Sequence, residues 1–208
     1  MDGLTRKRLG VYLGLSFGLS WALVLIIWRT GGLMNSPLLM QTPGISLAAV
    51  LLMLVMLMPA LANVLTRLIT REGKLDLWLH PARNQKPALW WLIAWFLPGI
   101  GTVLGAVIYF LLFPAHFDSA LTTLQSQIAQ SAPAGTALPS LWLIVLGAFL
   151  QALLLSPILN SLFTFGEEFG WRAYLLPKLL PLGGSKAALL SGLVWGVWHA
   201  PIIAMGHN

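Results

Sequence analysis

The residues best suited to chemistry in this 208-residue sequence lie in one acidic segment and one histidine-bearing segment. Glu167 and Glu168 are two of only six acidic residues, and Arg172 follows four positions after Glu168. His199 lies in the segment WGVWHAP, four residues after Trp195. Carboxylates and imidazoles are the side chains that most often exchange protons with water near neutral pH. The two segments therefore predict general acid–base chemistry.

Helical spacing separates the roles of the two glutamates. Neighbouring residues on a helix point about 100° apart, so Glu167 and Glu168 cannot serve the same spot. Glu168 and Arg172 are four residues apart, and we expect them to form an ion pair along one helix face. Glu167 is then the candidate general base, His199 its catalytic partner, and Trp195 a supporting side chain one turn before the imidazole.

Two structural explanations compete with catalysis. Both glutamates could lie at the membrane interface as solvated charges, because Glu167 comes twenty-six residues after Leu141, or about 39 Å along a helix that needs only about 30 Å to cross the hydrocarbon. Pro157 could instead kink the helix and turn the acidic segment back inwards. A lone histidine in an apolar helix also often does no more than hydrogen-bond to a neighbouring helix.

Composition indicates the class of protein that holds these residues. Hydrophobic residues make up 58% of the chain and charged residues 9%, whereas an ordinary soluble domain has about 25% charged residues. This apolarity excludes a typical soluble domain, and it also excludes a disordered chain, which needs low hydrophobicity. Cysteine is absent, which removes disulfides, thiolate metal ligands and cysteine nucleophiles.

Five apolar stretches predict membrane-spanning helices. A span needs about twenty apolar residues, and such stretches cover residues 9–28, 45–65, 89–113, 141–162 and 187–205. We expect an all-α polytopic transmembrane bundle that forms a single multispan domain over residues 1–208. Because no cleavage pattern follows the first stretch before Arg29, that stretch is interpreted as a retained anchor.

The basic residues indicate orientation in the membrane. With a cytoplasmic N-terminus, eleven of the twelve Lys and Arg residues fall on the cytoplasmic side, and only Arg29 lies outside. The formal charge of +6 is therefore interpreted as a topology signal, and no nucleic acid is expected as a partner.

Glycines recur four residues apart within the spans. Such pairs let helix backbones approach closely in lipid, which predicts helix contacts at four pairs: Gly14 with Gly18, Gly101 with Gly105, Gly166 with Gly170, and Gly192 with Gly196.

The acidic and histidine motifs resemble those of the CAAX prenyl protease and bacteriocin-processing (CPBP, or Abi) family of intramembrane proteases. That family carries a Glu-Glu-x-x-x-Arg motif, matched by Glu167, Glu168 and Arg172, and an aromatic-x-x-x-His motif, matched by Trp195 and His199. The resemblance covers about residues 165–201. A third family motif, His-x-x-x-Asn, does not occur, which suggests a C-terminally truncated chain whose own activity stays open.

The resemblance implies a hydrolase that cleaves a peptide bond in or near the membrane, with Glu167 and His199 activating water. Its substrate would be a peptide or membrane-anchored protein, and short loops favour a bacterial plasma membrane. No cofactor follows with certainty. Zinc, as in a metalloendopeptidase, would need three protein ligands, and Glu167 and His199 would be the first candidates, with Glu168 as the third.

Two further functions stay open for the sequence alone. One is a non-catalytic membrane scaffold or bacteriocin-immunity protein of the same family. The other is a transporter-like bundle in which the glutamates relay protons, although such a relay favours acids in several spans and only one cluster is present.

Overall fold

A computed structural model describes residues 2–41, 44–73, 77, 79, 86–131 and 140–207. Within this part of the chain, five helices are long and apolar enough to cross a membrane. They are α1 (Gly3–Arg29), α2 (Leu47–Ile69), α3 (Pro87–Leu112), a helix spanning Leu141–Leu182, and α8 (Gly184–Ala204). The predicted all-α polytopic bundle is therefore confirmed.

The helix Leu141–Leu182, called the long helix below, is built from several helical segments. Its α-helical parts are α5 (Leu141–Leu150), α6 (Ser156–Gly170) and α7 (Leu176–Leu179). Two π-helical segments join them, Gln151–Leu155 and Trp171–Leu175, and a 3₁₀ turn at Leu180–Leu182 ends the helix.

Each π-helical segment ends two residues before a proline, Pro157 or Pro177. Proline has no backbone N–H, so the wider turn accommodates the missing hydrogen bond without ending the helix. The sequence had suggested that Pro157 could kink the helix and turn the acidic segment back. Instead, the helix continues through Pro157. The helix continues twenty residues past the predicted end at residue 162, and it carries Glu167 with it.

The remaining described elements are short. Leu38–Met40 (β1) and Ile45–Ser46 (β2) pair as antiparallel strands, and α4 (Thr122–Ser131) follows a 3₁₀ turn at Pro114–His116. Side chains begin two of the long helices: Asp2 accepts a hydrogen bond from the Thr5 amide at 2.7 Å, and Ser46 accepts one from the Ala49 amide at 3.1 Å.

By its internal contacts the chain divides into two units, residues 1–80 with 161–208, and residues 81–160. The first unit holds the apolar core, in which aromatic residues from α1, the long helix and α8 pack together. They are Tyr12, Trp171, Tyr174 and Trp198. The single domain expected over residues 1–208 stays a prediction.

The second unit is organised around the Pro157 position. Because Pro157 donates no hydrogen bond, the Leu153 carbonyl four residues earlier loses its usual α-helical donor. The Trp95 indole on α3 donates to that carbonyl at 2.9 Å. One polar bond between two apolar helices thus satisfies the group that proline leaves free.

Candidate active site

The acidic segment of the long helix packs directly on the backbone of α2. A Cβ placed on Gly166 would lie 2.7 Å from the Met56 carbonyl oxygen, and one on Gly170 would lie 2.4 Å from Pro59 Cβ. Only glycine fits such close backbone approaches. The helix contact predicted for this pair is confirmed, and it holds the two glutamates between its glycines at a fixed height on α2.

The other glycine pairs behave differently. An added Cβ would meet nothing within 4 Å at Gly14, Gly18, Gly101, Gly105, Gly192 or Gly196. These glycines are not pressed against another helix in the described part of the chain, so the contact predicted for them is wrong. The spacing of four residues alone does not distinguish the two cases.

Glu167 lies against α8. The indole Nε1 of Trp195 donates a hydrogen bond to Glu167 Oε2 at 3.1 Å, and the glutamate is half-buried. One carboxylate oxygen is therefore held in place by a donor. The other oxygen, Oε1, is not engaged by this indole.

His199 is held by the same tryptophan. Its Nδ1 lies 2.9 Å from the backbone carbonyl of Trp195, and its ring packs edge-on against the Trp195 ring with centroids 4.5 Å apart. A carbonyl oxygen only accepts, so Nδ1 must carry the proton and donate. In the neutral imidazole the lone pair is then on Nε2, which is the atom able to accept a proton.

Glu168 and Arg172 form the ion pair that their spacing predicts, with Arg172 Nε 3.4 Å from Glu168 Oε2. Both side chains are more than half exposed, at 55% and 66% respectively. An exposed pair of this kind contributes little to stability. It nevertheless directs Glu168 along the helix, away from Glu167.

A cleft of about 170 Å³ lies beside this ion pair, between the long helix and α8. Glu168, Arg172 and Trp195 contribute to its walls, and Ser191 and Gly192 form part of its α8 side. Trp195 thus contacts Glu167 and His199 and also lines this cleft.

A partly buried ionic cluster, which was not predicted from the sequence, includes two residues that come shortly after the acidic motif, Tyr174 and Lys178. Glu72, in the loop after α2, accepts hydrogen bonds from Tyr174 Oη at 2.8 Å and from Lys178 Nζ at 2.5 Å. Arg8 Nε on α1 lies 3.5 Å from the same carboxylate. This Glu72 cluster ties α1, the α2 loop and the long helix together.

A second polar link joins α2 to the motif helix. The Asn63 side-chain amide donates to the Phe169 carbonyl at 2.8 Å, and its oxygen accepts from Arg67 Nε at 2.8 Å. Arg67 also donates to the Gly73 carbonyl at 2.7 Å and lies over the Tyr174 ring. The backbone just after Glu168 is therefore fixed from the α2 side.

Acidification should weaken the Glu72 cluster. Burial alone would raise the pKa of Glu72, but the hydrogen bonds from Lys178 and Tyr174 outweigh it, and the pKa lies below its ordinary value of 4.5. A depressed pKa gives stability that is present above the unfolded value and is lost as the pH falls through the folded one. We expect Glu72→Gln to lower the free energy of unfolding by about 2 kcal/mol at pH 7.

The measurement is a set of unfolding curves in detergent between pH 7 and pH 3. The difference between wild type and Glu72→Gln should shrink as the pH drops below 4.5. Glu168→Gln, the same substitution at an exposed carboxylate of the long helix, is the matched control. A constant difference across that pH range would contradict the assigned role of Glu72.

The donor set for a metal is incomplete. In residues 2–41, 44–73, 77, 79, 86–131 and 140–207, no three His, Cys, Asp or Glu side chains come together in a way that could hold a metal ion. Glu167, Glu168 and His199 therefore do not form the three-ligand set that catalytic zinc uses.

The structure assigns the other histidines no contact with Glu167 among the described residues. His207 is exposed at the end of α8, and His116 bonds to the Tyr109 hydroxyl at 2.6 Å in the second unit. His80 and Asn208 fall outside the described residues.

Comparison with known proteins bears on the segment that carries all five site residues. Residues 137–206 match the family described as Rce1-like, type II CAAX prenyl endopeptidase Rce1-like. This segment is similar to the Rce1-like family. The match covers about a third of the chain and confirms the resemblance inferred from the two motifs. The five apolar helices and this match together show an integral membrane protein.

Neither a search of curated proteins nor a search of solved structures returned a match to the chain.

Proposed function

We propose that the protein is a CAAX-type intramembrane endopeptidase that uses Glu167 and His199 to hydrolyse a peptide bond in or near the membrane. The observation that carries this proposal is the binding of both residues to Trp195. Glu167 accepts a hydrogen bond from its indole, and His199 donates one to its carbonyl. An acid and an imidazole thirty-two residues apart in sequence are thereby brought to one residue.

The proposed hydrolysis uses Glu167 Oε1 and His199 Nε2, the two atoms that Trp195 does not bind. A water molecule donates one hydrogen bond to the free oxygen of Glu167 and the other to Nε2 of His199, which leaves its lone pair to attack the substrate carbonyl carbon. Glu167 takes the proton as the C–O bond forms. It returns that proton to the amide nitrogen as the C–N bond breaks, so that one carboxylic acid and one amine leave.

Neighbouring side chains position these two residues. The Glu168–Arg172 pair directs the second carboxylate away from the reaction, and the close fit of Gly166 and Gly170 on α2 fixes the height of Glu167. The cleft lined by Trp195, Glu168 and Arg172 is the nearest described space for a peptide segment of a membrane-anchored substrate.

The test uses protein expressed from its native open reading frame and reconstituted in lipid nanodiscs. It is incubated in H₂¹⁸O with a farnesylated, fluorogenic peptide that ends in a CAAX sequence and with the same peptide lacking the lipid. We expect cleavage with one ¹⁸O in the new carboxyl group, as detected by mass spectrometry. Failure of folded protein to cleave either peptide would favour a scaffold or immunity role.

Trp195→Phe should separate the two contacts of this tryptophan. Phenylalanine keeps an aromatic ring against His199 and keeps the backbone carbonyl, but it removes the donor to Glu167. Because a hydrogen bond to a charged group is worth about 1.5–3 kcal/mol, we expect kcat to fall by about tenfold to a hundredfold. Val197→Ala, an exposed position on the same helix, is the control. Equal kcat values for Trp195→Phe and wild type would contradict the proposed positioning.

A further inference from the structure

Several side chains in the first unit have a buried polar atom that lacks a hydrogen-bond partner from outside the set. Three of the side chains lie on one face of α1 at intervals of four residues, and two are tryptophans from the long helix and α8. We call this set the polar column; its members are Tyr12, Ser16, Ser20, Trp171 and Trp198. All five side chains are between 0% and 2% exposed.

The lack of partners is specific. The Ser20 hydroxyl and the indole nitrogens of Trp171 and Trp198 have no hydrogen-bond partner among the described residues. The hydroxyls of Tyr12 and Ser16 have at most each other. In a membrane bundle an unpaired buried polar group costs free energy, and nearly all such groups are paired with protein or with ordered water.

The aromatic members of the column are in contact. The Trp171 ring packs edge-on against Tyr12 at 5.8 Å between centroids and against Trp198 at 5.6 Å. At the level of Ser20, the next residue on α1, Trp21, donates to the Trp198 carbonyl at 3.2 Å. The rings of Tyr12, Trp171 and Trp198 therefore form a continuous row of contacts across three helices, and Ser16 and Ser20 lie one and two turns beyond Tyr12 on α1.

Both ends of the path reach groups described above. At one end Tyr12 packs against Tyr174 at 4.8 Å, and Tyr174 donates to Glu72. At the other end Trp198 packs edge-on against His199 at 4.6 Å. The polar column thus connects the Glu72 cluster, at the end predicted to be cytoplasmic, to the imidazole of the candidate site.

We propose that the polar column holds a chain of bound water molecules that leads from the Glu72 cluster to His199. A buried water molecule typically makes about three hydrogen bonds to otherwise unpaired groups, and hydroxyls and indole N–H groups along one path provide the acceptors and donors for such a chain. That this chain supplies the water consumed in hydrolysis rests on the proposed function.

The hydration is tested without any activity measurement. Protein in nanodiscs is exposed to microsecond X-ray pulses, which generate hydroxyl radicals from water, and side-chain oxidation is mapped by mass spectrometry. We expect Trp171 and Trp198 to be oxidised at rates within about threefold of the exposed Trp28. Trp171 and Trp198 unmodified in a sample where Trp28 reacts would overturn the proposal.

A second measurement uses the sign of a stability change. If Ser20 is dry, Ser20→Ala removes an unpaired hydroxyl and should raise the midpoint of thermal unfolding. If water is bound there, the midpoint should be unchanged or lower. A raised midpoint for Ser20→Ala would overturn the proposal, and Ser126→Ala in α4, outside the first unit, is the matched control.

A third measurement tests whether the water chain supplies the water consumed in hydrolysis. Ser20→Val places two methyl groups in the path, and we expect oxidation of Trp198 and kcat both to fall by about tenfold, with KM unchanged. Loss of Trp198 oxidation with unchanged kcat would overturn the supply role. If Trp171 and Trp198 are oxidised but wild type cleaves no peptide, the water chain stands and the proposed function fails instead.

Discussion

Glu167→Gln is expected to lower kcat for peptide cleavage by about 10²–10⁴-fold, the usual contribution of a general base. Glutamine has nearly the same shape, and its amide oxygen still accepts the hydrogen bond that Trp195 donates to Glu167 in the wild type. The substitution therefore removes the proton acceptor while keeping the contact with α8. The measurement is single-turnover cleavage of the farnesylated peptide, with unfolding midpoints recorded on the same samples.

Glu168→Gln is the matched comparison because it changes the neighbouring residue in the same way. Glu168 is exposed and paired with Arg172, so we expect its substitution to reduce kcat by no more than about tenfold, as befits a positioning contact of low energy. An equal loss in both variants would contradict the separate roles assigned to the two carboxylates. Unchanged biological activity in Glu167→Gln would support a scaffold, and loss of proton-coupled flux would support transport.

Gly170→Ala is expected to destabilise the first unit. Its new Cβ would lie 2.4 Å from Pro59 Cβ and 2.6 Å from the Pro59 carbonyl carbon. These atoms belong to the ring and backbone of an interior helical residue and cannot rotate away. Overpacking of this kind typically costs about 1–3 kcal/mol, and the hydrogen bond from Asn63 to Phe169 should lengthen with it.

The test compares free energies of unfolding in mixed micelles for Gly170→Ala and Gly18→Ala. An added Cβ at Gly18 meets nothing within 4 Å, and alanine is favoured over glycine inside a helix by about 1 kcal/mol. We therefore expect the two substitutions to change stability with opposite signs. Equal stabilisation by both would show that the long helix does not rest on α2 through Gly170.

The sequence predicted the helices well because apolar length is a local property. Each of the five stretches overlaps an observed helix, and the Glu168–Arg172 pair follows directly from helical spacing. Pro157 was harder to interpret, because a proline ends a helix or is absorbed by a wider turn according to which neighbour takes the freed carbonyl. Here that neighbour is Trp95, fifty-eight residues before Leu153 in sequence.

Sequence reasoning found the candidate site residues but not what holds them. Trp195 was expected to support His199, and its indole contact with Glu167 was not foreseen because nothing local specifies it. Glu72 was missed for the same reason: it follows Arg67 and Arg71 in a basic segment, whereas Tyr174 and Lys178, its partners, lie more than a hundred residues away. Long-range pairing of this kind leaves no periodic pattern in one sequence.

The π-helical segment Trp171–Leu175 carries one residue more than an α-helix would need to cover the same rise. Deleting that extra residue would rotate everything beyond it by about 100° around the helix axis. After such a deletion the helix could keep the contact between Glu167 and Trp195 or the contact between Lys178 and Glu72. It could not keep both contacts at once. The extra residue in this turn thus sets the rotation of Glu167 around the helix axis relative to Lys178 in the Glu72 cluster.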